Sequence, residues 1–186
     1  MRLIVAITGS SGVIYGIKTL EVLRDLNVES HLIISEWGKR NIIIETDTSI
    51  DYVKSLASKY YSNDNMAASL SSGSFRTNGM AVIPCSMKTL SSIANGYDDN
   101  LISRAAGVCI KESRKLVIVP RETPLSIIHL ENMLRLSKAG AIILPAMPGF
   151  YHKPKTMDDM ITHIVGKIID QFGIEHNIFR RWTEHS

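Results

Sequence analysis

The sequence predicts an α/β domain in three layers: a parallel β-sheet with helices on both faces. Three observations carry this. Short apolar runs rich in β-branched residues recur, as at 3–7 and within 115–119, and that is the pattern of strands buried on both faces. Helical periodicity fills the stretches between them, and strands alternating with helices imply parallel pairing through right-handed crossovers. The length of 186 residues, 45% hydrophobic and 21% charged, fits one domain, 1–186, with its own core and a short C-terminal tail.

In chain order, a strand over 3–7 leads to a helix over 13–26 that ends near Asn27. A second strand covers 29–35, and helices are expected over 37–45 and 51–59. Residues 60–79, rich in Ser, Asn and Gly, read as a long loop, and long loops in compact domains often carry function. A third strand, 80–84, enters a helix over 87–94. The next helix, 100–113, is opened by Asp98 and Asp99, both good N-cap types. The fourth strand is 115–119; Thr123 and Pro124 then supply an N-cap and a first-turn proline for a helix that runs to Lys138. A fifth strand, 141–144, precedes a loop over 145–154. Thr156-Met157-Asp158-Asp159 has the form of a capping box for the last helix, which ends near Gly173, before the basic tail Arg180-Arg181-Trp182.

The bulk numbers set aside several function classes. A net charge of +3, from 21 basic and 18 acidic residues, does not call for nucleic acid but suits an anionic small ligand. The two cysteines, Cys85 and Cys109, lie among apolar residues with neither CxxC nor zinc spacing. Buried free thiols, a reducing cytoplasm and no metal site follow as expectations. The apolar N-terminus is broken early by Gly9, and no segment approaches the ~20 apolar residues of a membrane span. A soluble protein that does not bind membranes is expected.

Ligands of parallel sheets bind beyond the carboxyl ends of the strands, at a topological switch point. The first strand ends in Thr8-Gly9-Ser10-Ser11-Gly12. Glycines that allow a tight turn, followed by the free N–H groups of a helix start, make an anion seat. The stretch is neither a Walker loop nor GxGxxG, and a tight turn with incidental serines has the same form. The third strand ends in Pro84-Cys85-Ser86-Met87-Lys88-Thr89, where N–H groups, two hydroxyls and a cation suit a phosphate; the alternative is a capping serine beside a solvated lysine. Arg121 and Glu122 follow the fourth strand, as a functional pair or as an exposed ion pair of little worth. After the fifth strand, Pro145 and Pro148 stiffen a loop that presents Tyr151. Arg104 and Lys111, seven apart, share a helix face, and Lys167 lies on the polar side of the last helix; all three also read as solvated charges. His129 reads as a packed side chain and Cys85 as an inert thiol.

Together these stretches resemble the flavin prenyltransferase family, the UbiX-type flavoproteins, along nearly the whole chain. The matching segments, in order, are Thr8-Gly9-Ser10-Ser11-Gly12, Ser72-Gly73-Ser74-Phe75-Arg76, Pro84-Cys85-Ser86-Met87-Lys88-Thr89, Pro120-Arg121-Glu122-Thr123-Pro124, His129-Leu130-Glu131-Asn132-Met133 and Pro148-Gly149-Phe150-Tyr151-His152. The resemblance implies a Rossmann-like or flavodoxin-like fold and a homo-oligomer, commonly a dodecamer. It implies metal-independent transfer of a dimethylallyl group from dimethylallyl phosphate to reduced FMN. The prenylated FMN so formed, joined at N5 and C6 through a new ring, serves UbiD-type decarboxylases.

Carried over residue by residue, the resemblance assigns FMN contacts to Gly9, Ser10, Ser11, Ser35, Ser86, Met87, Lys88, Thr89, Arg104 and Arg121. Tyr151 and Lys167 match residues that hold the donor's phosphate, with Lys111 and Glu122 at further phosphate-side positions and Trp182 as a tail aromatic near the substrate. Catalytic roles fall to Glu45, Lys111, Glu122 and Ser11. Lys167 stands where arginine is also found in the family; lysine keeps the charge and loses the bidentate fork, which leaves open a mono- or a diphosphate donor. Two rivals share the fold. An FMN-dependent decarboxylase of peptidyl-cysteine type would carry Pro-Ala-Ser-Ala-Asn-Thr where this chain has Pro84-Cys85-Ser86-Met87-Lys88-Thr89. A non-catalytic FMN carrier would not need the extra cations or Tyr151.

Overall fold

The computed structural model describes residues 1–182. The elements in order are β1 (Arg2–Ile7), α1 (Val13–Asp25), β2 (Glu29–Ile34), α2 (Glu36–Glu45), α3 (Ile50–Ser55), β3 (Lys59–Ser62), β4 (Gly79–Cys85), α4 (Met87–Ala94), α5 (Leu101–Lys111), β5 (Lys115–Pro120), α6 (Ile127–Lys138), β6 (Ile142–Ile143) and α7 (Met157–Gln171), with a 3-10 turn at Ser69–Ser71. All strand pairs are parallel, in the order β3-β2-β1-β4-β5-β6. This is the doubly wound order of Rossmann-like sheets, with its switch point between β1 and β4.

Side chains alternate across a strand, and the central strands are apolar on both sides, so the sheet builds two cores. Leu3, Val5 and Ile7 of β1 face one layer with Ile17 and Leu20 of α1 and Ile164, Val165 and Ile168 of α7. Ile4 and Ala6 face the other, with Leu90 of α4, Ala105 and Cys109 of α5 and Leu136 of α6. Each fully buried Leu or Ile contributes roughly 1.5–3 kcal/mol. The expected α/β layering is therefore what folds. Among the described residues no helix is long and apolar enough to cross a membrane.

Five local expectations are corrected. The helix expected over 51–59 stops at Ser55, and a sixth strand, β3, occupies the start of the expected loop. Its four residues are too few to display alternation; only Tyr61 is buried, and pairing with β2 defines the strand. Helix α5 is capped by Asn100, whose side chain accepts the Ser103 N–H, while Asp98 pairs with Arg104 at 3.3 Å. Helix α6 starts at Ile127, because Ser126 accepts the His129 N–H and the His129 ring accepts the Ser126 N–H, a reciprocal cap that Thr123 and Pro124 do not provide. The fifth expected strand shrinks to two residues in β6. The box at Thr156 and Asp159 forms as expected, and Gly173, at φ 70°, follows the end of α7.

Candidate active site

Thr8 fixes the switch point. Its buried hydroxyl donates to the Pro84 carbonyl at 2.7 Å and accepts the Ser86 N–H at 2.8 Å, so the ends of β1 and β4 are held together. A cleft of about 510 Å³ opens beside them, lined by Gly9, Ser35, Trp37, Ser86, Lys88 and Thr89 among others. A Cβ on Gly9 would lie 2.4 Å from the Trp37 Cβ, so only glycine lets the first turn approach α2. Ser35 caps α2 by accepting the Gly38 N–H at 3.0 Å. Ser86 caps α4, accepting the Thr89 N–H at 3.3 Å and donating to Thr89 Oγ1 at 3.1 Å. Two helix N-termini thus present positive dipole ends and hydroxyls to one space, with the exposed Lys88 at its wall. The Ser10 hydroxyl oxygen is buried without a partner. An unpaired buried hydroxyl is costly, and an anionic group seated at this edge would satisfy it. These residues fit a phosphate.

The N-terminus of α1 is occupied from within the chain. Glu45, the last residue of α2, accepts the Gly12 N–H at 2.8 Å and the Val13 N–H at 3.3 Å. A carboxylate therefore sits where the first turn was expected to receive an external anion. Ser11 is exposed at the top of this turn, and its carbonyl accepts from Arg121 Nε at 3.2 Å, which ties the end of β5 to the end of β1. Glu122 accepts the Thr123 N–H at 3.1 Å. Arg121 and Glu122 also line a second cavity of about 300 Å³ with Met133, Pro145, Ala146 and Met147. Met87 packs against the core layer of α4 and α5.

Tyr151 belongs to an aromatic cluster against α7. Its hydroxyl lies 3.2 Å from His163 Nε2, and Trp182 stands perpendicular to its ring at 5.5 Å. The tail that carries Trp182 is tied to α7 by Arg181, which donates to both carboxylate oxygens of Asp170 at 3.0 and 2.7 Å, and by His176 on the same carboxylate at 3.1 Å. Lys167 is exposed on α7, one turn beyond His163.

Two further expected site residues are engaged within the chain. Lys111 ends α5 beside Glu112, to which it is paired, at the edge of the sheet where β5 begins. The six residues of β5 span ~20 Å between that edge and Arg121. Arg104 donates to the Ser71 carbonyl at 3.0 Å and pairs with Asp98, holding the 63–79 segment. Burial pushes the Cys109 thiol up to about 12 and raises Cys85 as well, the direction that disfavours a thiolate. Among the described residues no group of three or more His, Cys, Asp or Glu is placed to hold a metal ion. The sequence reading did not single out Thr8, Trp37, His163 or Asp170 as functional. Of these only Thr8, inside a quoted turn, carried any signal; the others are placed by tertiary contacts.

Comparison with known proteins places the chain in a family. The Flavoprotein family model matches residues 1–172. A probable UbiX-like flavin prenyltransferase of Escherichia coli O157:H7 is 54% identical over 183 residues, covering 98% of this chain and 93% of that protein. The flavin prenyltransferase UbiX of Methanocaldococcus jannaschii is 51% identical over 182 residues, 98% of each chain. The crystal structure described as AnUbiX in complex with FMN and dimethylallyl pyrophosphate superposes with a TM-score of 0.97 at 50% identity, covering 98% of this chain and 97% of that one. A dodecameric FMN-dependent UbiX-like decarboxylase from Escherichia coli O157:H7 gives 0.97 at 53% identity, covering 98% and 100%. The peptidyl-cysteine decarboxylase EpiD, at 19% identity, TM-score 0.67 and coverages of 93% and 98%, shares the fold alone. The Rossmann-like sheet, the paired helix N-termini at its switch point and identity above one half along almost the whole chain converge on one conclusion: this chain belongs to the UbiX-like flavin prenyltransferases of the flavoprotein family.

Proposed function

We propose that this protein transfers a dimethylallyl group from dimethylallyl phosphate to reduced FMN, without a metal, and that the prenylated FMN is consumed by a UbiD-type decarboxylase in the cytoplasm. The observation that carries this is that the sites are separate. The cleft of Ser35, Ser86, Lys88 and Thr89 suits the phosphate of one ligand, and the cluster of Tyr151 and Lys167 along α7 offers a hydroxyl and a cation to another. A carrier of FMN has use for only the first.

Reduced FMN supplies nucleophilic N5 and C6. The donor's C–O bond breaks with its electron pair leaving on phosphate; net, the flavin gains C5H8 and one proton departs with the phosphate. The chain's residues divide the remaining work. Ser10, Ser35, Ser86, Lys88 and Thr89 bind the FMN phosphate. Gly9 and Ser11 bring turn backbone to the flavin, and Arg121 fixes that turn. Glu45, held by the Gly12 and Val13 amides, handles a proton beside the flavin. Tyr151, Lys167 and Lys111 face the departing phosphate, where donors and cations stabilise developing negative charge; Glu122 stands on the phosphate side, and Trp182 closes on the substrate.

Lys111 lies at the opposite sheet edge from Arg121, so its role belongs to a neighbouring subunit's site. The surface supports such an assembly: Ile127, Ile128 and Leu134 on α6, with Met147 and Phe150 in the following loop, are all exposed, more apolar surface than single scattered residues explain. The test is anaerobic incubation with reduced FMN and dimethylallyl phosphate, followed by mass analysis of the flavin. A gain of C5H8 is expected. Unchanged flavin with both mono- and diphosphate donors, on protein that binds FMN, overturns the proposal in favour of a carrier.

A further inference from the structure

The loop after β6 folds Tyr151 back onto α7, where His163 receives it. His163 is buried, 6% exposed, in a layer whose neighbours Ile161, Ile164 and Val165 are apolar. Packing alone would accept an aromatic hydrocarbon here. Both ring nitrogens are engaged instead. Nδ1 accepts the Gly149 backbone N–H at 3.3 Å, and Nε2 lies 3.2 Å from the Tyr151 hydroxyl. A nitrogen that accepts from a backbone amide carries no proton, so the neutral ring bears its hydrogen on Nε2 and donates it to the Tyr151 oxygen. Protonating the ring would set Nδ1–H against the Gly149 N–H. Burial, the His152 ring stacked at 4.9 Å and the Lys167 ammonium also hold the ring's pKa below its ordinary value. Phe179 packs edge-on at 5.1 Å and limits rotation.

This fixes the direction of the tyrosine bond. The Tyr151 oxygen is an acceptor toward His163, so its own proton is free for another acceptor. Lys167 is four residues beyond His163 on α7, on the same helix face. We infer that His163 is a positioning residue for the prenyl donor: it holds Tyr151 with the hydroxyl proton available to the phosphate oxygen, beside the Lys167 ammonium. The inference rests on the prenyl-transfer reading and on the place of Tyr151 within it.

The test is steady-state prenyl transfer with varied donor and saturating reduced FMN, on the full chain, with FMN affinity and melting measured in parallel. His163→Phe is expected to lower kcat/KM for the donor about tenfold, as for one lost oriented hydrogen bond, with FMN affinity unchanged. His163→Gln, whose amide can donate from near the Nε2 position, restores most of the rate; His163→Asn, whose amide reaches only the Nδ1 position, does not. Should the phenylalanine variant fail to fold, the contrast between the two amides decides. Adding His163→Phe to Tyr151→Phe is expected to cost nothing further. An equal loss in both backgrounds, or equal rates for the Gln and Asn variants, overturns the inference and leaves His163 as packing. Full activity in Tyr151→Phe removes the donor role of Tyr151 and this inference with it, while C5H8 transfer by the unaltered protein keeps the wider reading standing.

Discussion

At the residue scale, two carboxylates do different work and separate by experiment. Glu45 satisfies two amides at the start of α1, and a charge at a helix N-terminus stabilises by about 0.3–1 kcal/mol. Glu45→Gln keeps an acceptor and loses the charge, so thermal melting is expected to shift little while anaerobic prenyl transfer falls about a hundredfold or more, the lower end of what a general acid–base contributes. A loss of rate matched by a collapse in melting would assign Glu45 to structure alone. Glu29, at the far end of β2, is held to a pKa of about 2, first by its hydrogen bond from Arg2 and then by that of His31. A carboxyl whose pKa is depressed on folding adds stability above its unfolded value of about 4.3, and that contribution is lost as pH falls from there toward 2. The Glu29 side chain is 42% exposed, which limits the size of the effect. Urea midpoints measured from pH 6 to about pH 3 should fall less steeply in Glu29→Gln than in the unaltered chain. Neither partnership was legible beforehand: Gly12 and Glu45 are 33 residues apart, and no local pattern joins them. The glycine and serine turn itself was legible, because tight turns and helix starts obey local rules.

At the element scale, the long apolar strands and helices were legible from periodicity, and failures gathered where local cues competed. Thr123 followed by Pro124 has the form of a helix start, yet Ser126 begins α6 through its reciprocal cap with His129. A capping serine contributes about 1 kcal/mol. Ser126→Ala is therefore expected to lower the urea unfolding free energy by about 1 kcal/mol, and Thr123→Ala, whose hydroxyl caps nothing, to leave it within about 0.5 kcal/mol. The reverse order of effects would restore the earlier helix start. Strand β3 was hidden for another reason: it is a four-residue edge strand with one buried side chain, Tyr61, and pairing with β2 rather than its own pattern makes it a strand. Its place is reinforced by the Tyr61 hydroxyl, which lies 2.9 Å from His31 Nδ1.

At the scale of the whole molecule, the strand order explains why one edge gathers Gly9, Ser35, Ser86 and Arg121, and equally why Lys111 is excluded from it. A helix returning antiparallel to its strands ends at the opposite edge, so a residue at the C-terminus of α5 lies ~20 Å from the end of β5. Sequence resemblance implies a place for Lys111 in a site without saying whose site, and topology puts it at the other end of the sheet from Arg121. If the site is shared between subunits, two inactive variants with defects on opposite sides complement each other. Lys111→Ala and Glu45→Gln are each expected to lose prenyl transfer as homo-oligomers. Co-expressed and purified through two different tags, they should form mixed assemblies in which some sites draw Lys111 from one subunit and Glu45 from its neighbour, and activity should return in part. Ile127, Ile128 and Leu134 of α6 are exposed, and in a closed symmetric assembly each contact recurs around the ring. Mixed oligomers as inactive as the parents, in material shown by both tags to be mixed, would place both residues in the site of one subunit and require α5 to move relative to the fold described.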